Sequence, residues 1–205
     1  MPGLHVYQVP DVAVMKERDL QNYWYAIVEY KKAFFENKTV DLRIYPYMNP
    51  EVVESWKRSK KAGVNPFRLR NFLFMDDNKL EETLREYGDL IEATKYTVAE
   101  IKMQQIMPKN YAFYLFTENG ILLYMEGDKG AVGSAARVGA IWKETTIGTN
   151  AHVLCTRSKR PYTIIGPEHY CEIFQNSIVT AAPIRNNRSQ IIAAVVLGVH
   201  LFDYS

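Results

Sequence analysis

The feature that most constrains this chain is a change in the period of its apolar residues at Pro108. Before that point apolar residues recur every three or four positions, which is helical spacing; after it they alternate or run in short blocks, which is strand spacing. A sequence with both periods, one after the other, cannot be a helical bundle or an all-strand sandwich. It predicts helices followed by a sheet.

The upstream half predicts three helices. From Met15 to Asn37, Leu20, Trp24, Ile27, Lys31 and Phe34 fall on one stripe, with Tyr23, Ala26 and Tyr30 on the next. That wide face packs on its own domain or on a second copy of itself. Residues 1–15 read as an irregular arm, and "YPYMNP" at 45–50 as a break. A second helix follows, with Asn49 as its N-cap, Pro50 in its first turn and Gly63 at its end. Residues 57–70 hold six basic side chains and no acidic one, which read as a solvated helix face rather than a nucleic-acid patch. Residues 79–105 predict one long amphipathic helix, from Leu80 through Leu84, Tyr87, Ile91, Thr94, Val98 and Ile101 to Gln105, closed by Pro108. Such a helix is a connector, a dimer seam or a core element.

Downstream, "YAFYLF" and "ILLYMEG" flank a turn carrying Asn119-Gly120 and predict a β-hairpin. "DKGAVGSAARVGA" reads as a loop or short helix, "TNAHVLCTRSKR" as a helix, "PYTIIG" as a strand, and "PEHYCEIFQ" as a short helix or turn. "IVTAAPIR" and "QIIAAVVLGVHLF" are two further strands, and Pro183 marks an edge or a bulge in the first. The strands form hairpins rather than βαβ units. The fold expected is α+β, an antiparallel sheet flanked by helices over 79–205, with an N-terminal helical extension over 1–78.

Composition narrows the function classes. With 47% hydrophobic residues the chain can build a core, and a net charge of +2 argues against a dominant nucleic-acid surface. No apolar run is long enough for a membrane span, and the first residues lack a signal-peptide pattern, so a cytoplasmic location without membrane or direct nucleic-acid contact is expected. Two cysteines are not a disulfide framework. There is no G-x-S-x-G elbow and no dinucleotide fingerprint in "GAVGSAARVG". Two chemical alternatives stay open. His152, Cys155, His169 and Cys171 form a ligand set that zinc accepts, at a spacing only loosely like a zinc motif. Cys155 and Cys171 would serve thiol chemistry if the fold brought them together with a lowered pKa. Otherwise two histidines with hydrogen-bond partners and two buried thiols account for the same residues.

Several motifs occur in order: Trp142, Gly148 to Ala151 (GTNA), Arg160-Pro161, Glu168 to Tyr170 (EHY) and Ala181 to Ile184 (AAPI). With the upstream "VVESWKRSKKAGVNP", this series resembles the N-terminal GAF sensor domain of sigma-54-dependent transcriptional activators, in the subgroup related to the acetoin-catabolism activator. The resemblance runs from about Trp24 to about Val199. His152 stands where that family has an aliphatic residue, Cys155 where it has a small one, and "NNRSQ" where it has an Asp-Gly turn.

The resemblance implies a sensor rather than an enzyme, with a pocket between the sheet and its helical cover. Tyr114, Leu123 and Met125 would supply the floor and Trp142 a flat wall. Thr149, Asn150, His152, His169 and Thr180 would supply hydrogen bonds, and Arg137 would pair an anion. Each has a plainer role open to it: Thr149 and Asn150 as helix caps, Trp142 as core, His169 as a loop tie. The implied ligand is a small metabolite and no cofactor is required. The implied partners are a second copy of the chain and the ATPase domain of a parent regulator. No G-x-x-x-x-G-K-[ST] loop and no helix-turn-helix occur in these 205 residues, so the expected unit is a piece of a longer regulator or a stand-alone relative. Ligand binding was expected to order residues 128–178 and shift the helix at 79–105. The competing expectations are a metal- or thiol-based redox sensor and a ligand-free dimerisation module.

Overall fold

A computed structural model describes residues 17–38, 48–67, 72–107, 110–127, 133 and 136–200. The expected N-terminal arm, the first half of the 45–50 break, Arg68 and Arg70, and most of the small-residue stretch from 128 lie outside the described residues.

Helix α1 spans Glu17–Phe35 and buries Tyr23, Ile27, Tyr30 and Lys31, the stripe expected from its spacing. Helix α2 spans Pro50–Lys61. Asn49 accepts from the Glu51 amide at 2.9 Å and satisfies a donor that the helix leaves free, while Gly63 turns the chain at φ +77°. Three of its basic residues are engaged within the protein: Lys57 with Glu54, Arg58 with Glu144, and Lys60 over the Phe34 ring.

Beyond residue 110 lies a five-stranded antiparallel sheet of order β3-β2-β7-β6-β5. Its strands are β2 (Tyr111–Thr117), β3 (Leu122–Gly127), β5 (Tyr162–Ile165), β6 (Ser177–Arg185) and β7 (Ile191–His200). Short strands β1 (Leu73–Phe74) and β4 (Ala140–Ile141) pair beside it. Alternation sends Tyr114, Phe116, Val179, Ala181, Ala194 and Val196 to one face. There they join Tyr23, Ile27, Val52, Trp56 and Tyr170 in the main core. Residues on both sides of position 78 therefore share one buried cluster. Leu115, Leu123 and Ala193 point to the other face, where Ile91 packs on them.

One expectation changes. The single helix at 79–105 is two: α3 (Asp77–Glu86) and α4 (Gly88–Met103), broken at Tyr87. The α3 helix buries no residue fully, whereas α4 buries Ile91, Thr94 and Val98. Leu84 of α3 still packs on the same far-face cluster as Ile91. The edge or bulge expected at Pro183 is met locally, although β6 as a whole lies between β5 and β7. Pairing with β5 stops at Ala181, so Pro183 needs no hydrogen bond on that side, and a register shift follows at Ile184/Arg185. A further helix, α5 (Glu144–Ile147), precedes α6 (Ala151–Ser158) in a stretch for which no element was expected.

Candidate functional site

Aromatic rings gather where the sheet meets its helical cover. Strand β2 supplies Tyr114 and Phe116, the chain leaving β4 supplies Trp142, and α6 supplies His152. Two 3₁₀ turns, Gly166–Glu168 and Glu172–Phe174, bring in His169 and Phe174. Trp142 lies 5.6 Å from Tyr114, 5.5 Å from Phe116 and 5.5 Å from Phe174 between ring centres. His152 stacks on Phe116 at 4.3 Å, and His169 lies 5.9 Å from Phe174. Gly148 makes the approach possible. Its backbone sits at φ +74°, ψ −162°, a region only glycine tolerates, and a Cβ there would fall 2.6 Å from that of Tyr170.

Within this cluster three buried polar atoms have no hydrogen-bond partner among the described residues: Trp142 Nε1, His152 Nδ1 and His169 Nε2. Trp142 is 4%, His152 2% and His169 0% exposed. Buried polar groups are rarely left alone, because each costs its desolvation, about 1–3 kcal/mol. The opposite ring nitrogens are engaged: His152 Nε2 donates to Trp142 O at 2.7 Å, and His169 Nδ1 to Gly166 O at 3.0 Å. Burial pushes the imidazole pKa of His152 down to about 4 and that of His169 to about 3, so both are neutral near pH 7. On the solvent side of the same wall, Trp142, His152, Arg157 and Arg185 border an open cleft of about 750 Å³.

The other expected site residues go elsewhere. Thr149 Oγ1 donates to Ser55 Oγ at 2.8 Å. Ser55 in turn bonds Glu144, which Arg58 grips at 2.8 Å, a chain that ties α2 to α5 and α6. Asn150 caps α6, its side chain accepting from the Ala151 amide. Arg137 is exposed, and its guanidinium lies 3.8 Å from the centre of the Phe74 ring, where it stacks instead of facing an anion site. Thr180 is exposed on the far face of the sheet beside Thr163, because β6 alternation sends Val179 and Ala181 inward. Leu123 is likewise on the far face.

The four residues of the metal alternative are not brought together: among the described residues no group of three or more His, Cys, Asp or Glu is placed to hold a metal ion. Both cysteines are free and buried, and burial pushes Cys155 up to about 11 and Cys171 up to about 12. A reactive thiol needs the opposite shift.

Some participants carried no legible signal. Phe174 enters through an irregular turn that no periodicity marks. Phe116 was legible, since it shares strand parity with Tyr114. A second group was missed outright. Tyr23 donates to Glu168 Oε1 at 2.7 Å, Trp56 Nε1 donates to Glu168 O at 2.7 Å, and Lys31 Nζ donates to His169 O. Glu168 also accepts from the Ile165 amide at 2.8 Å, and burial raises its pKa to about 7. These bonds fasten α1 and α2 to the segment that carries His169.

Fold and site together define an α+β domain with one sheet face closed by helices over an aromatic, polar-studded interior. No family model matches the chain. It is similar to the acetoin dehydrogenase operon transcriptional activator AcoR of Bacillus subtilis, with 26% identity over 152 residues, 72% of this chain and 25% of that protein. It is also 26% identical over 149 residues to an uncharacterized 47.3 kDa protein of Rhodococcus erythropolis, covering 70% of this chain and 34% of that one. The chain thus spans a quarter to a third of these relatives. In fold it matches a chain of the crystal structure of the Escherichia coli DhaR(N)–DhaL complex, with TM-score 0.67 and 16% identity over 77% of this chain and 54% of that one. The resemblance to transcriptional activators read from the motifs is met by the AcoR relative, and the solved structure matches in fold. No helix among the described residues is long and apolar enough to cross a membrane.

Proposed function

We propose that this chain is a GAF-type small-molecule sensor of a sigma-54-dependent transcriptional regulator, binding its ligand among Trp142, His152 and His169. The observation that carries the proposal is the set of three unpartnered ring nitrogens in one aromatic cluster. An interior built only for packing would not retain all three. The similarity to an activator supports the regulatory half of the reading.

The output runs through α1 and α2. The α4 helix packs on the far face of the sheet, whereas Tyr23 and Trp56 grip Glu168 and Lys31 grips the His169 carbonyl. A ligand that pulls on His169 Nε2 shifts the 166–170 segment and with it α1. The shift is limited by the ligand's differential affinity for the two positions. In a longer regulator this would release or engage an ATPase domain.

The test is a thermal-shift screen of small metabolites against the wild type and Trp142→Phe, which keeps the ring and removes the N–H. A compound that raises Tm in the wild type and loses that effect in the variant supports the site. A library with no hit, or a hit that Trp142→Phe leaves intact, contradicts it.

A protein partner is favoured by a separate observation: Tyr96 in α4 is 69% exposed, Met103 at its end 74%, and Ile106 just beyond it 67%. In this reading the patch holds a second copy of the chain. The solved neighbour, seen in complex with DhaL, makes a different protein the rival occupant. Sedimentation equilibrium showing a dimer that Met103→Glu converts to monomer supports the homodimer; a wild-type monomer at tens of micromolar contradicts it.

A further inference from the structure

The open cleft outside the ring cluster has a chemistry of its own. Lys143 borders it just before α5, Arg157 and Lys159 at the end of α6, and Arg185 at the end of β6, with Glu118 and Glu144 as its carboxylates. Segments far apart in sequence thus bring four cations to one space of about 750 Å³.

The two carboxylates do not balance them. Glu144 is already held by two nitrogens of Arg58, each at 2.8 Å, so Arg157 reaches it only at 3.5 Å and its side chain stays 58% exposed. Glu118 accepts from the Tyr87 hydroxyl at 3.2 Å and the Asn119 amide at 3.1 Å. Lys143, Lys159 and Arg185 pair with no carboxylate among the described residues. The terminal nitrogens of Arg185 donate instead to the carbonyls of Ser189 at 2.8 Å and Lys159 at 2.6 Å. These bonds fix the guanidinium, leave its charge uncompensated and use two of its five N–H donors. Positive charge gathered in a cleft raises the local concentration of anions.

The kind of anion follows from the number and spread of the cations. A carboxylate is planar, carries one charge and is met in full by a single guanidinium fork, which leaves both lysines unpaired. A phosphoryl group carries close to two charges and three strong acceptor oxygens that point in different directions. It alone matches cations arriving from three segments. We infer that the cleft binds a phosphoryl dianion, free or as the monoester of a small molecule, held by Lys143, Lys159 and the remaining donors of Arg185. This site is separate from the ring nitrogens of the sensing proposal and stands or falls without them.

The test is a ¹H–¹⁵N NMR titration of the intact chain, at constant ionic strength, with phenyl phosphate, benzoate and phenol, which share a ring and differ in headgroup. The expected result is saturable shifts at residues 143, 157–159 and 185–190 with phenyl phosphate, and at least tenfold weaker binding of benzoate and phenol. Lys143→Gln/Lys159→Gln should weaken phenyl phosphate about tenfold or more, as for loss of a charged hydrogen bond. Lys61→Gln/Lys79→Gln removes the same charge elsewhere and should leave it unchanged. All four lysines are exposed, so both variants keep the fold. Inorganic phosphate binding as tightly as phenyl phosphate assigns the site to the free ion; tighter binding of the ester assigns it to a phosphorylated small molecule. Benzoate or phenol binding as tightly as phenyl phosphate, shifts that grow without saturation to tens of millimolar, or equal losses in the two double variants would each overturn the inference and leave the sensing proposal untouched.

Discussion

Burial holds His152 and His169 neutral, and this sets how the protein responds to acid. Their folded pKa values, about 4 and about 3, lie below the unfolded value near 6.5. The unfolded chain therefore binds protons first as pH falls. Stability is full above 6.5 and declines as pH drops toward 4, by on the order of a few kcal/mol. Glu168 has the opposite sign. Its folded pKa, about 7, lies above the unfolded value near 4.5, so its contribution is full below 4.5 and lost as pH rises through 7. Urea midpoints at pH 5 and pH 8 should separate the two. Glu168→Gln should gain on the wild type as pH rises, and a constant gap between them would contradict the shift. Gly148→Ala should cost about 2 kcal/mol or more, from the glycine-only backbone and the clash with Tyr170. Asn150→Ala should cost about 1 kcal/mol as a lost cap and leave ligand affinity unchanged, again by urea melts and titration. Residue types were readable in advance where a local rule acts. Asn150 and Gly148 announced their backbone roles. Thr180 and Arg137 did not, because strand parity and a stacking partner far away in sequence decide where they point.

Among the elements, α1 carries the least expected role. Its apolar stripe was legible, but not that Lys31 and Tyr23 on that stripe would bond to residues 168 and 169, since contacts between positions so distant leave no period. The Trp24 ring rests on Gly166, where a Cβ would lie 2.0 Å from it. Gly166→Ala should lift α1 and raise hydrogen exchange across residues 20–31 while amides of β2 and β7 stay protected; unchanged exchange in α1 would show that it is not seated there. The split between α3 and α4 was hidden for a different reason. The three-or-four spacing continues through Tyr87, and only the depth of burial differs between the two halves. The tolerance of Pro183 inside β6 comes from the shortness of β5, which Pro183 itself does not report.

At the scale of the whole molecule, two faces of one sheet have separate tasks. One closes over the aromatic cluster and is gripped by α1 and α2; the other carries α4 and its exposed apolar end. The proposed ligand and partner surfaces thus lie on opposite sides of the sheet, joined through β2 and β7. Class and layering were legible because the period change at Pro108 forces helices and sheet into one chain. The choice among metal, thiol and small-molecule chemistry was not, since it depends on which ring nitrogens the backbone occupies.

The account stands most directly on the protonation of two imidazoles. Long-range ¹H–¹⁵N NMR of histidine-labelled protein at pH 7 reads it without a variant. The prediction is a neutral His152 with its proton on Nε2 and a neutral His169 with its proton on Nδ1, and a shift of both bare nitrogens on saturation with a compound that the thermal-shift screen returns. A protonated ring, the opposite tautomer in either residue, or two bare nitrogens unmoved by saturating ligand would contradict it.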